Sequence, residues 1–191
     1  MHYTEALERL MMGNRRYVAM RQIHPRQTTV HRETLIDGQN PFAAILSCSD
    51  SRVPSELIFD QGLGDLFIVR TAGHAANDLV LASIEFAVHA LKVPLVMVMG
   101  HAQCGAVSAV FKAVELPGHL PKLVTHLRPA LAGIDPDTDY ALEAATRANT
   151  RATAAYLVSS STILMEAVQS DRLKIAMAYY HLESGRVDLF E

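Results

Sequence analysis

Hydrophobic residues along the chain fall into short continuous runs and into longer stretches with helical spacing. Each continuous run predicts a buried β-strand, and the stretch that follows it predicts a helix. Residues 93–99, with the sequence VPLVMVM, carry no polar side chain, as expected for a parallel strand buried on both faces. The four strands predicted in this way are residues 42–46, 66–70, 93–99 and 173–180. The turn at 183–186 and the apolar run 187–190 predict a closing antiparallel hairpin.

The helical pattern begins with a long N-terminal helix over residues 3–21, followed by a polar arm over 22–40 that holds a short helix near 30–37. Asn77 or Asp78 can cap a later helix, because both side chains accept backbone hydrogen bonds. The other predicted helices are a short one starting at Pro54 and residues 79–91, 105–114, about 139–158 and about 161–169. Prolines at 117, 121, 129 and 136 break the region between them into short helical pieces.

This alternation of strands and helices predicts an α/β fold with a central, mostly parallel sheet, an antiparallel edge and helices on its flanks. A chain of 191 residues is expected to form one domain over residues 1–191. Residues 1–40 extend well before the first core strand, so we expect this helix and arm to pack on a partner subunit. A loosely packed surface loop is the alternative. The basic residues Arg15, Arg16 and Arg21 are expected to be solvated or to face that partner.

Composition and charge narrow the class of protein. Half of the residues are hydrophobic and 19% are charged, which is typical of a globular chain. A net charge of −3 gives no indication of a nucleic-acid or anionic-membrane partner. The apolar runs are far shorter than the ~20 residues of a membrane span. The first residues, MHYTE, lack the basic and apolar regions of a secretory signal, so we expect a cytoplasmic protein.

Two polar clusters follow the first and third predicted strands. Cys48, Asp50 and Arg52 come after residues 42–46, and His101 and Cys104 come after residues 93–99. The carboxyl ends of parallel strands are where ligands bind in open α/β sheets. The two cysteines of the chain can in principle form a disulfide, but a chain without a secretory signal favours free thiols that bind a metal.

These side chains match the ligands of zinc, which takes thiolate, imidazole and carboxylate in a tetrahedron. A catalytic zinc needs three protein ligands and an open position, which Cys48, His101 and Cys104 can supply while Asp50 closes the site or stands aside. A structural zinc is the main competing interpretation, but the C-x₂₋₄-C pairs typical of such sites are absent from the sequence. A buried cysteine by itself is usually a small hydrophobic residue.

Arg52 decides which role Asp50 takes. A guanidinium two residues away can hold the carboxylate in a bidentate pair, which would keep Asp50 off the metal. Asp50 would then accept the proton of a zinc-bound water or hydroxide. Zinc lowers the pKa of its bound water to about 7. Released from Arg52, Asp50 would become the fourth ligand and expel the water. A surface salt bridge is the simpler interpretation of this pair.

The pair of motifs CSDSR at 48–52 and HAQCG at 101–105 resembles the signature of the β-class carbonic anhydrases. The resemblance extends over most of the chain. The further matching segments are GNRRY at 13–17, GQNP at 38–41, DLFIVRTAG at 65–73, SIEFAV at 83–88 and GRV at 185–187.

The resemblance implies reversible hydration of carbon dioxide to bicarbonate and a proton, with one zinc per subunit on Cys48, His101 and Cys104. It implies that Asp50 and Arg52 form a dyad that orients zinc-bound hydroxide. It also implies a homodimer or a dimer of dimers, in which the neighbouring subunit completes the substrate pocket. The positions that match this pocket are Gln39, which would hydrogen-bond bicarbonate, Phe67, Phe86 and Gly105.

Three residues depart from the family pattern. Phe86 replaces a common Tyr and so lacks its hydroxyl, and Ile45 replaces the Trp of members gated by bicarbonate, which favours an open zinc site. His74 stands where Asn is commoner. We hypothesise that His74 assists proton export if it lies at the pocket mouth; a hydrogen-bonded turn histidine is the alternative.

Two other functions remain open at this point. The same zinc hydroxide acting on carbonyl sulfide or carbon disulfide is the close alternative. A metal-binding protein without turnover is a different class, but it would need neither Asp50, Arg52 nor Gln39.

Overall fold

The structure is a computed structural model that describes residues 1–111 and 116–191. Within these residues five strands form one sheet in the order β2-β1-β3-β4-β5. The first four strands of that order are parallel, and β5 is antiparallel to β4. The strands are β1 Ala43–Cys48, β2 Leu66–Thr71, β3 Leu95–His101, β4 Lys174–Tyr180 and β5 Val187–Phe190. The predicted α/β class, with its antiparallel edge, is confirmed.

The central strands β1 and β3 are buried along their whole length. Successive side chains of a strand point to opposite faces of the sheet, so both faces of these strands must be covered. Ala44 and Leu46 belong to one hydrophobic cluster, whereas Ala43 and Ile45 belong to another. This explains why the sequence shows continuous apolar runs here instead of a polar alternation.

Helices cover both faces of the sheet. In the described residues they are α1 Tyr3–Val18, α2 Thr29–Thr34, α3 Ser55–Ile58, α4 Asp78–His89, α5 Gly105–Phe111, α6 Leu120–Leu127, α7 Ala141–Ser159 and α8 Thr162–Gln169. Ile84 of α4, Leu157 of α7 and Leu164 of α8 pack in the cluster on one face, and Leu10 of α1 and Ile58 of α3 pack on the other. None of the helices in the described ranges has both the length and the apolar character that crossing a membrane requires.

The predicted helices correspond to these elements, with differences at their ends. The N-terminal helix stops at Val18, three residues before the predicted end. Asn77, not Asp78, caps α4, because its side chain accepts a hydrogen bond from the Val80 N–H at 3.1 Å. Residues 112–114 of the predicted helix 105–114 lie outside the described residues.

Two buried carboxylates hold the arm, residues 22–40, against the rest of the same chain. Asp60 accepts hydrogen bonds from Arg16 Nε at 2.6 Å and from the backbone N–H groups of Ile23 and His24 at 3.1 and 3.0 Å. Asp65 accepts from Arg9 Nη2 at 2.6 Å and also pairs with Arg26. Arg16 is thus only partly solvated, because its guanidinium is 27% exposed and pairs with a buried carboxylate of the same chain.

Candidate metal centre

Two neighbouring strand ends bring Cys48, His101 and Cys104 together. β1 and β3 are adjacent and parallel, with Ser47 opposite Met99, so both strands end at the same edge of the sheet. Cys48 is the last residue of β1 and His101 the last of β3, and Cys104 directly precedes α5. All three side chains are buried, and their potential ligand atoms lie within 4.8 Å of one another. The predicted ligand set therefore forms one compact group of donors.

His101 is arranged as a metal-binding imidazole would be. Its Nδ1 lies 2.8 Å from the carbonyl oxygen of Ala102, which can accept the Nδ1 hydrogen. Its Nε2 is buried and has no hydrogen-bond partner within the described part of the chain. A buried ring nitrogen without a partner is costly, and a metal ion would satisfy it. Donation of the other ring nitrogen to a carbonyl is the usual orienting contact of a histidine ligand.

The two thiols are free and buried. A hydrogen bond from Cys104, aided by backbone N–H groups, holds the pKa of Cys48 below its usual range. The same interaction with Cys48 raises the pKa of Cys104, and burial adds to that effect. The Gly73 N–H also donates to Cys48 Sγ at 3.3 Å. Two adjacent thiol groups and an imidazole match the soft and intermediate ligands that zinc prefers.

Asp50 is held by Arg52 in a bidentate pair. Arg52 Nε lies 2.9 Å from Oδ1, and Nη2 lies 2.7 Å from Oδ2. The side-chain hydrogen bonds from Arg52 hold the pKa of Asp50 well below its usual range. Arg52 Nη2 also donates to the carbonyl oxygen of Gln103 at 3.3 Å, so the pair is joined to the turn between His101 and Cys104. Among the described residues, the compact donor group comprises the two cysteines and the histidine, without Asp50.

Arg70 makes contacts at this site that the motifs of the sequence do not indicate. This residue near the end of β2 donates from Nε to the Cys48 carbonyl at 3.0 Å and from Nη2 to the Asp50 carbonyl at 2.6 Å. Arg70 thereby fixes the backbone on both sides of Ser49. The available signal was a charged residue closing the otherwise apolar run 66–69.

The predicted pocket residues lie in different parts of the chain. The rings of Phe67 on β2 and Phe86 on α4 face each other at a tilt, with their centroids 6.2 Å apart. Phe86 is 51% exposed, and Gln39 is exposed in the arm before β1. Gly105 is exposed at the start of α5, and a Cβ added there would meet no atom of residues 1–111 or 116–191 within 4 Å. The aromatic pair is thus formed within one chain, whereas Gln39 faces outward.

His74 lies inside the protein. It is 0% exposed, and burial lowers its pKa to about 4. Its Nε2 lies 2.8 Å from Asn149 Nδ2 and 3.2 Å from Thr150 Oγ1. The proton-export hypothesis required a position at the pocket mouth, and this burial contradicts it. The alternative of a hydrogen-bonded turn histidine agrees with the structure.

Comparison with known proteins agrees with this geometry. A family model described as carbonic anhydrase matches residues 43–187. The chain belongs to the carbonic anhydrase family. Carbonic anhydrase 2 of Mycobacterium tuberculosis is 42% identical over 188 residues, which cover 96% of this chain and 91% of that protein. The carbonic anhydrase of Mycolicibacterium smegmatis is 39% identical over 193 residues, with the same two coverages of 96% and 91%.

Solved structures place this carbonic anhydrase in the β class. The β-carbonic anhydrase CafA of Aspergillus fumigatus has a TM-score of 0.78 at 29% identity, with 99% of this chain and 90% of that chain covered. A tetrameric β-carbonic anhydrase of Sordaria macrospora shares the fold, with a TM-score of 0.77 at 21% identity over 98% of this chain and 95% of that chain. The family and the enzyme class predicted from the motifs are confirmed.

Proposed function

We propose that the chain hydrates carbon dioxide reversibly to bicarbonate and a proton, at one zinc ion held by Cys48, His101 and Cys104. The observation that carries this proposal is the buried donor group, whose ligand atoms lie within 4.8 Å of one another. His101 Nε2 supports the proposal as well. This buried nitrogen has no hydrogen-bond partner among the described residues, so its lone pair can bind a metal cation. Zinc bound there would act as a Lewis acid and supply a nucleophilic oxygen near neutral pH.

Asp50 and Arg52 would serve as the dyad beside that ion. The bidentate contacts from Arg52 occupy both carboxylate oxygens of Asp50 from one side and keep the group ionised. An ionised carboxylate fixed in this way can accept a hydrogen bond from the nucleophile and so orient the nucleophile. The same pairing keeps Asp50 away from the metal, which favours the open site. A closed state, with Asp50 as fourth ligand, would require the pair with Arg52 to break.

Substrate binding would involve Phe67, Phe86, Gln39 and Gly105. The open space beside the Gly105 backbone, next to Cys104, leaves room for a small molecule at the start of α5. Gln39 and Phe86 are exposed on the single chain, so we propose that a second copy covers them in a homodimer or a dimer of dimers.

Several apolar side chains of residues 1–40 would also be covered in such an assembly, including Met20, Val30 and Ile36. This supports the proposal that the N-terminal helix and arm pack on a partner subunit. In this proposal residues 1–191 act as one carbonic anhydrase domain in the cytoplasm.

Replacement of one proposed ligand tests the assignment. Cys48→Ser should lose bound zinc, measured by elemental analysis, and should lose carbon dioxide hydration, measured by stopped-flow with a pH indicator. Ser47→Ala is the matched control, because Ser47 is buried beside Cys48 but bonds to the Ser55 hydroxyl at 3.3 Å instead. Full zinc content and full hydration activity in Cys48→Ser would refute the proposed site.

A further inference from the structure

A tight turn, residues Ala72–His74, connects the end of β2 to the metal centre, and helix α7 holds it in place. Asn149 of α7 is 3% exposed, and its Nδ2 lies 2.9 Å from the Gly73 carbonyl oxygen and 2.8 Å from His74 Nε2. A side-chain amide nitrogen carries two hydrogens, so one can go to each acceptor. His74 Nε2 can accept because the imidazole is neutral, its pKa being lowered to about 4 by burial.

This turn needs such support because of its backbone conformation. Gly73 has φ +63° and His74 has φ +45°, both in the left-handed region. For an L-residue such as His this conformation is unfavourable, and it persists where surrounding contacts enforce it. The turn directs the Gly73 N–H at Cys48 Sγ, 3.3 Å away. Asn149 therefore bonds to the same residue, Gly73, that bonds to the thiol.

Helix α7 also packs closely against strand β3. A Cβ on Gly100 would lie 2.6 Å from Thr150 Oγ1 and 2.7 Å from Thr146 Cγ2, both on α7. Gly100 directly precedes His101, so the helix that holds the turn also packs against the strand end that carries the histidine donor. The position of Asn149 is thus set relative to both strands of the metal centre.

We propose that Asn149 is a positioning residue for the metal centre: by holding the 72–74 turn, it keeps the Gly73 N–H on Cys48 Sγ. This inference rests on the proposed zinc site. A hydrogen bond to a metal-bound thiolate withdraws charge from the sulfur, and contacts of this kind tune the ligand and the metal. Loss of Asn149 should therefore alter the electronic character of the metal–sulfur bond, although Asn149 itself does not touch the metal.

The test compares Asn149→Ala and Asn149→Leu with Thr153→Val, a control that changes another buried polar residue one turn further along α7. Each protein is loaded with cobalt(II), and its sulfur-to-cobalt charge-transfer band is recorded. Both Asn149 variants should shift the band to longer wavelength, because a thiolate without its hydrogen bond gives up an electron more easily. Zinc affinity, from competition with a chelator, should fall about 10–100-fold in both variants. Thr153→Val should match the wild type.

The outcomes separate this inference from the proposed site. A wild-type protein without any sulfur-to-cobalt band would refute the metal site itself. If the wild type shows the band, and both Asn149 variants keep the same band position and the same zinc affinity, the role of Asn149 is overturned and the metal site is not. If the far-ultraviolet circular dichroism shows that neither variant folds like the wild type, the test is made on the wild type instead. ¹⁵N-labelled wild-type protein is loaded with ¹¹³Cd and studied by NMR. Scalar coupling between cadmium and the Gly73 amide proton supports the hydrogen bond, and its absence overturns the inference.

Discussion

Asp60→Asn tests how the arm is attached to the body of the protein. The Asp60 side chain is 1% exposed, and it accepts from Arg16 Nε and from two backbone N–H groups of the arm. Asn keeps the shape and tolerates the left-handed φ of +45° at this position. The change removes the charge and also replaces one of the two accepting oxygens by an NH2 group, which cannot accept from Arg16 or from the backbone N–H groups. Breaking a buried ion pair by removing one partner costs about 3–5 kcal/mol of unfolding free energy. Because Arg16 remains 27% exposed, we expect a loss of about 3 kcal/mol.

For a chain of this size, a loss of about 3 kcal/mol corresponds to a Tm lower by roughly 6–12 °C. The assay is thermal unfolding of metal-loaded protein, followed by circular dichroism between pH 7 and pH 2.5. Burial by itself would raise the pKa of Asp60, but the hydrogen bonds from Arg16 and the arm outweigh this and lower it. The stabilisation is therefore present above the unfolded pKa of about 3.9 and disappears as the pH falls through the lower folded pKa.

The Tm difference between wild type and Asp60→Asn should thus be constant from pH 7 to about pH 5 and should narrow below about pH 4. Glu143→Gln is the control, because its carboxylate is 38% exposed and pairs with Arg147 on the surface of α7. That change should cost no more than about 0.5 kcal/mol. A difference that stays the same down to pH 2.5, or a Tm change as small as that of Glu143→Gln, would refute the reasoning.

Three further predictions concern the site. Gly100→Ala should lower the unfolding free energy by about 1–3 kcal/mol, because its Cβ would lie 2.6 Å from Thr150 Oγ1; unchanged denaturant unfolding would contradict this close approach. Arg52→Lys should retain zinc but lower kcat/KM about 10–100-fold, because an ammonium cannot make both contacts to Asp50; wild-type hydration rates would count against the dyad. Removing the metal with a chelator should lower the Tm reversibly. The loss of stability corresponds to about 2.7 kcal/mol relative to protein in free zinc at 100 times its Kd. An unchanged Tm in calorimetry would argue against metal binding by the folded chain.

Much of the fold was predictable because its determinants are local. The continuous apolar run at 93–99 identified a strand buried on both faces, and β3 is such a strand in the sheet. Cys48 and His101 could be paired from the sequence because adjacent parallel strands end at the same edge. The contact between Asp50 and Arg52 spans two residues, so it was predictable from the spacing. The sequence by itself therefore determined the strands, the mostly parallel class of the sheet and the members of the donor group, whereas the order of the strands came from the tertiary structure.

Tertiary structure alone decided the contacts that surround this donor group. Arg70 reaches the backbone of the Cys48 turn from 20 and 22 residues away, and Asn149 reaches Gly73 from 76 residues away. The direction of each side chain depends on strand register and on how closely α7 packs against β3. The pairing of Arg16 with Asp60 and the burial of His74 depend on tertiary structure in the same way, because the partner of a charged residue and the burial of a turn are set by segments distant in sequence. Short-range pattern specifies which residues can bind a metal, whereas packing between distant elements determines how they are held.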